Sequence, residues 1–256
     1  MKPERFAPLS ADDVAYLWAE VERFEPDWLL ILPYVPDDVR GAWLALLGLF
    51  AEVLTIPSRV SNPVLGAIRV AWWREAIGEV YGEGQPRKHP VVLSLALTIS
   101  ERPDLRSRLE NALGAIEPFL EPGDDRDFQA AFARRLVLYG AIAQAFAHLE
   151  GAETTGGEAL ALHALARVKP DANAAATAEG PEPIARRFAR ALAAKPEIAQ
   201  QLHGRITAFR RQAAKNQPLI NAPFVLVRSK AGASRTVHNP LLQRLLLFKF
   251  VLTGRF

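Results

Sequence analysis

The chain reads as an all-α protein, and three observations carry that expectation. Apolar residues recur every three or four positions along most of its length, caps and prolines punctuate it at helix-sized intervals, and only Phe224 to Val227 resembles a strand. Half of the 256 residues are apolar, enough for a sizeable core. With no internal repeat of roughly 20 to 50 residues, one helical domain over 1–256 is the economical organisation.

Ser10, with Asp13 three residues on, predicts a capping box that opens a first helix from about Ala11 to Phe24. Pro26, Pro33 and Pro36 then impose an irregular passage in which Trp28 to Leu32 cover the core, and Asp37-Asp38 leads into a second helix, Val39 to about Ile56. That helix is apolar nearly all round, which suits a domain centre. Gly41, Ala45 and Gly48 form a row where a neighbour can approach closely, and Glu52 ends the row, shielded from water. Pro57 should kink or end the helix.

Asn62-Pro63 is an N-cap and first-turn proline for a third helix through Gly66 to Tyr81, closed by Gly82 and Gly84. A 100° step places Gly66, Val70, Trp73, Ile77, Val80 and Tyr81 on one face, widened by Trp72, Ala76 and Leu65. Arg69 falls inside this apolar sector, and a guanidinium leaving water needs an acidic or phosphate partner. Glu52 on the preceding helix is the predicted one.

Shorter helices follow from Pro90 to Ser100 and from Pro103-Asp104 to Phe119 or Leu120. Asp124, Asp125 and Asp127 look like an acidic metal motif, but beside Pro122-Gly123 they read as the cap of a long helix from about Arg126 to Leu149. Ala159 to Val168 adds a short helix, 169–183 reads as a mobile loop, and helices Ile184 to Ala194 and Glu197 to about Lys215 come next. Asn239-Pro240 caps the last helix, where Leu241 to Leu252 is greasy enough to need cover from protein or lipid.

Composition narrows the function. The absence of cysteine removes disulfides and thiolate chemistry, and the five histidines lack zinc-site spacing, so no metal is expected through nitrogen or sulfur. The N-terminal stretch has neither a signal-peptide core nor the acid-free character of a presequence, which points to the cytoplasm, with a peripheral membrane association left open. Residues 181–256 hold 14 Lys and Arg against 2 Glu, leaving 17 basic and 26 acidic residues in 1–180. Arg186, Arg187, Arg190, Arg205, Arg210 and Arg211 on two predicted helices form a candidate docking face for an acidic partner or an anionic membrane surface. Nucleic acid is not expected, since no recognised module accompanies these charges.

The passage ALLGLFAEVLTIPSRVSNPVLGAIRVAWWREAIGEVYGEGQPRKHPVV, with Trp72-Trp73-Arg74 and His89-Pro90 as its most telling pieces, resembles the squalene/phytoene synthase family. PDDVR at Pro36 to Arg40 resembles the family's Pro-x-x-x-Arg element, and LLQRLLLFKFVLTGR its C-terminal ending. The resemblance implies an isoprenoid-synthase helical bundle. It also implies head-to-head condensation of farnesyl or geranylgeranyl diphosphate in the catalytic members, with magnesium held by two aspartate-rich helices. Here the first of those motifs falls on Leu54, Thr55 and Ser58, and the second near His163 to Asp171, where Asp171 is the sole acid.

A Glu at the place of Glu52, without the aspartates, is similar to the non-catalytic branch that includes the assembly factor for respiratory complex I. Glu52, Arg69, Trp72 and Trp73 are then the ligand-binding candidates, with Arg69 able to hold a diphosphate and the tryptophans to line a prenyl pocket. Three readings follow: a scaffold or assembly factor for a protein partner, needing no cofactor; a protein that binds prenyl lipid or a membrane surface; and a prenyltransferase, which alone would need magnesium. A filled cavity, an apolar tunnel, or a tunnel with two carboxylate clusters at its mouth would distinguish them.

Overall fold

A computed structural model describes residues 3–82, 84–121, 127–152, 157–168, 186–212, 227–230, 233–236 and 240–253. The first helix, α1 (Ala11–Phe24), starts as its sequence dictates, since the Ser10 hydroxyl accepts the Asp13 backbone N–H at 3.1 Å. After the single-turn helix α2 (Pro26–Leu29), the chain turns into α3 (Arg40–Leu54), in which every residue except Glu52 is buried. An all-round apolar helix gains most where neighbours cover every face, and α3 is packed by α1, by α6 (Pro90–Ile99) and by α8 (Phe128–Leu149). Trp43 and Phe50 of α3 reach Phe146 of α8 at ring separations of 4.6 and 5.8 Å.

The glycines of α3 are where its neighbours come closest. A Cβ on Gly41 would lie 2.9 Å from the Phe6 carbonyl oxygen, and one on Gly48 would lie 2.4 Å from a Leu17 methyl of α1. Arg40 does a related job with its side chain: buried, it donates to the carbonyls of Leu32 at 3.0 Å, Val35 at 2.5 Å and Arg5 at 3.3 Å, and pairs with Asp37. A guanidinium has five donors and no acceptor, so one side chain can satisfy the carbonyls that the prolines strand in this irregular passage.

Pro57 has the foreseen effect. The helix stops at Leu54, and a separate turn, α4 (Ile56–Arg59), carries the proline near its start, where no backbone donor is needed. Asn62 then accepts from Leu65 N–H at 3.0 Å and opens α5 (Pro63–Val80), which buries Gly66, Val70, Trp73, Ala76, Ile77 and Val80. α7 (Pro103–Gly114) packs against α5 and α8. Asp127 caps α8 through Ala130 N–H at 2.9 Å, in agreement with the capping expectation; Asp124 and Asp125 lie outside the described residues.

α9 (Glu158–Ala166) packs on α8, and α11 (Pro196–Gln212) on α9 and α10 (Arg186–Ala194). The one departure from helix among the described residues is a hairpin of β1 (Val227–Lys230) and β2 (Ala233–Thr236), paired antiparallel with Val227 opposite Thr236. The strand-like fragment foreseen at Phe224 to Val227 overlaps it only at Val227, and the rest of that fragment, like the loop 169–183, lies outside the described residues. The last helix is α12 (Pro240–Thr253). The architecture is thus the expected helical one, with a single buried hydrophobic cluster running from Phe6 to Phe250. Among the described residues no helix is long and apolar enough to cross a membrane.

Candidate functional site

The end of α1, the break between α3 and α4, the middle of α8 and the end of α9 enclose a cavity of about 280 Å³. Leu54, Thr55 and Ser58 line one side and Ala164, Arg167 and Val168 the other, with Phe24, Glu25, Arg135 and Tyr139 completing it. The two segments expected to carry metal-binding aspartates therefore face one another across a space, with no aspartate among their described residues. The Thr55 hydroxyl is turned back onto the Ala51 and Glu52 carbonyls at 3.0 and 2.9 Å, and that of Ser58 donates to the Thr55 carbonyl at 2.7 Å. Asp171 lies outside the described residues.

Charge enters the cavity from Glu25 and Asp27, outside both motif segments, and from His163 and Arg167 within the second. Arg167 Nη1 sits 2.7 Å from Glu25 Oε1 and 2.8 Å from Asp27 Oδ2, while His163 Nε2 is 3.3 Å from the same Asp27 oxygen. Glu25, Asp27 and His163 are all buried, and Arg167 is 29% exposed at its side chain. The Glu25 oxygen is close to the guanidinium but receives no directed hydrogen bond, so it is neutralised by charge without being fully solvated by protein. Burial accordingly pushes the Glu25 carboxyl up, against the pull of His163 and Arg167. Burial acts on Asp27 in the same sense, but the His163 hydrogen bond and the charges of His163 and Arg167 outweigh it and hold that carboxyl below its usual value.

Tyr139, buried, has its phenol pushed up by burial and by the Glu25 charge. Beside it Arg135, 1% exposed, donates to the Ala131 carbonyl at 3.0 Å and lies 5.5 Å from the Phe188 ring centre.

Glu25, Asp27 and His163 offer ligand atoms within 4.8 Å of one another, the spacing of a metal site. The donor set nevertheless does not fit magnesium. That ion demands about six oxygens in near-octahedral array, including diphosphate and water, whereas both carboxylates are already bound to a guanidinium occupying the position a cation would take.

The other predicted site residues separate. Glu52 is shielded, its side chain 14% exposed, but its partners are Arg59 Nη1 at 2.9 Å and the Tyr16 hydroxyl at 3.2 Å. Arg59 also reaches Glu20 at 3.6 Å. The Tyr16 phenol is pushed up to about 12 by burial, with the charges of Glu52 and Glu20 adding to it. Arg69 does not pair with Glu52, which corrects the expected bridge: it stands exposed on α5. Over the first turns of that helix the buried strip narrows to Gly66 and Val70, leaving Val64, Leu65, Ile68 and Arg69 in solvent. A helical wheel gives the width of the apolar sector, not how much of it a neighbour covers.

Trp72 and Trp73 do not line this cavity. Their rings meet edge-on at 4.9 Å, both contact His89 at 5.5 and 5.3 Å, and Arg87 lies 4.5 Å over Trp72 while bonded to Glu79. Trp73 and Ala76 are buried as expected, whereas Trp72 and Leu65 are exposed and do not widen the buried face. On the proposed basic face, Arg205 is exposed but pairs with Glu158 at 2.7 Å and lies 5.2 Å from the Phe132 ring centre, Arg210 is half-buried, and Arg211 is exposed. The side chains of Arg186, Arg187 and Arg190 lie outside the described residues.

These pairings give a direct contrast. Glu52→Ala is expected to cost about 1–3 kcal/mol, because the Tyr16 hydroxyl and the Arg59 guanidinium lose their acceptor. Arg69→Ala should stay within about 0.5 kcal/mol of the parent, as surface changes do. Denaturant midpoints of the two variants check this, and equal losses would restore the Arg69 pairing.

A helical protein built round one buried helix, with a polar cavity where that helix breaks opposite a second helix end, has the arrangement of an isoprenoid-synthase bundle. The family model of squalene/phytoene synthase matches residues 22–131, less than half of the chain. The match takes in the α1 end, α3, α4 and the tryptophan helix, and stops within α8, before Arg135, Tyr139 and Arg167. No curated protein and no solved structure matches the chain.

Proposed function

We propose that this chain is a non-catalytic member of the squalene/phytoene synthase family that serves as a scaffold or assembly factor for a protein partner. The reading is carried by one observation: in the cavity between the two degenerate motif segments, the positive charge facing the buried acids is Arg167, a covalent part of the fold. An ion pair of this kind stabilises an empty cavity, whereas a magnesium-dependent ionisation needs carboxylates left open to metal. The cavity volume of about 280 Å³ lies just below the range of about 300–1,000 Å³ for ligand pockets, which fits a shrunken site between these segments. The exposed strip of Val64, Leu65, Ile68 and Trp72 with Arg69 has the aromatic, aliphatic and Arg composition of a protein-binding patch.

The enzyme alternative makes the opposite prediction. Purified protein given farnesyl or geranylgeranyl diphosphate with magnesium is expected to form no head-to-head product above a protein-free blank. Chelator-sensitive turnover would overturn the non-catalytic reading and make the chain a prenyltransferase.

A further inference from the structure

α12 is apolar on two opposite sides, and only one of them is covered among the described residues. Leu247 and Phe250 are each 1% exposed, while Leu245, Phe248 and Val251, spaced three residues apart, are 65%, 52% and 38% exposed. Both cations of the helix, Arg244 and Lys249, are exposed with them. At 100° per residue, Leu245, Phe248, Val251, Arg244 and Lys249 share one outward sector. From Ile198 to Phe256 the sequence holds ten Lys and Arg and no Asp or Glu. A surface strip of this kind must meet something that is apolar at depth and negative at its rim.

We propose that α12 docks on an anionic membrane surface, lying in the interface with Leu245, Phe248 and Val251 among the acyl chains and with Arg244 and Lys249 at the phosphate level. Its 14 residues are too few to span, since a crossing takes about 20, but suffice for a helix in the plane of the interface. Long basic side chains bury their stems and lift their charges to the headgroups. A second copy of the chain fits worse, because a two-fold contact would set Arg244 and Lys249 against their own images. Nucleic acid would neutralise the cations but leave Leu245 and Phe248 in water. The proposal does not rest on the lack of catalysis, since an active synthase could dock in the same way, and so the two readings fail separately.

The test is co-flotation of the full chain with phosphatidylcholine vesicles, with and without phosphatidylglycerol. Binding is expected only with phosphatidylglycerol, and it should weaken as salt shortens the screening length to about 3 Å near 1 M. Leu245→Glu with Phe248→Glu, both at exposed positions, should weaken it about tenfold or more, and so should Arg244→Glu with Lys249→Glu, each cation near the surface being worth a several-fold factor. Leu97→Glu with Val137→Glu, exposed on α6 and α8, should leave it unchanged. Circular dichroism of each variant confirms the fold.

Absence of binding, or equal binding to both vesicle types, would overturn the proposal. So would binding lost on charge reversal but kept by the Leu245 and Phe248 variant, which would mean attraction without insertion. A vesicle-independent complex with an acidic protein that these variants abolish, in place of flotation, would give α12 to a protein partner.

Discussion

Replacing Arg167 with methionine is expected to destabilise the protein by about 3–5 kcal/mol, the cost of leaving buried carboxylates without their cation. Methionine keeps most of the aliphatic stem, so the loss reports charge more than packing. Near this chain length each kcal/mol moves the midpoint of melting by about 2–4 °C. The pH dependence identifies the cause. Arg167 lowers the pKa of both Glu25 and Asp27 in the folded state, opposing the burial that raises them. A stabilisation of this sign is present where the carboxyls are ionised and is lost as pH falls through their folded values.

The deficit of the variant should therefore be largest at neutral pH and shrink in acid. In the parent the two acids act in opposite directions. Asp27, held low, contributes stability above its unfolded pKa that is lost as pH falls through its folded value. Glu25, held high, costs stability as pH rises from its unfolded value through its folded one. Denaturant titrations of parent and variant at neutral pH and near pH 4 measure the difference. A deficit independent of pH would make Arg167 a packing residue and weaken the case that it replaces a metal.

Trp43→Ala is expected to cost about 3–5 kcal/mol through the cavity it leaves at the centre of α3. Trp43 has no exposed surface and stacks at a tilt on Phe146, so both α3 and α8 lose contacts at once. Trp43→Phe should cost markedly less, for two reasons. It keeps an aromatic ring there, and the indole N–H it removes is buried without an acceptor among the described residues. Thermal unfolding of the two variants checks the order, and equal losses would show that the Phe146 contact is not what matters.

The sequence by itself was enough for the helical class, the central place of α3, the stop at Pro57, and the caps at Ser10, Asn62 and Asp127. Each of these is local: a period of 3.6, a missing N–H, or an oxygen three residues before a free donor settles it within one or two turns. That Leu54, Thr55 and Ser58 are not aspartates is read directly from the sequence, whereas their place in a metal motif is what the resemblance implies, not local physics. Shielding of Glu52 could be read from its place at the end of the Gly41, Ala45, Gly48 row, but its partner could not. Arg59 arrives only because the chain turns back after Pro57, whereas Arg69 is carried outward on the uncovered side of α5.

Only the tertiary structure could assemble the charged cavity. Glu25 and Asp27 flank a proline after α1, and His163 and Arg167 sit one turn apart near the end of α9, about 140 positions later. Nothing in the spacing of either pair announces the other, because an ion pair depends on distance in space and on the loss of water around it. Whether the outward face of α12 stays bare was likewise beyond periodicity. Its sequence offers apolar residues on both sides, and which side is covered depends on the packing that buries Leu247 and Phe250 and leaves Leu245 and Phe248 outside.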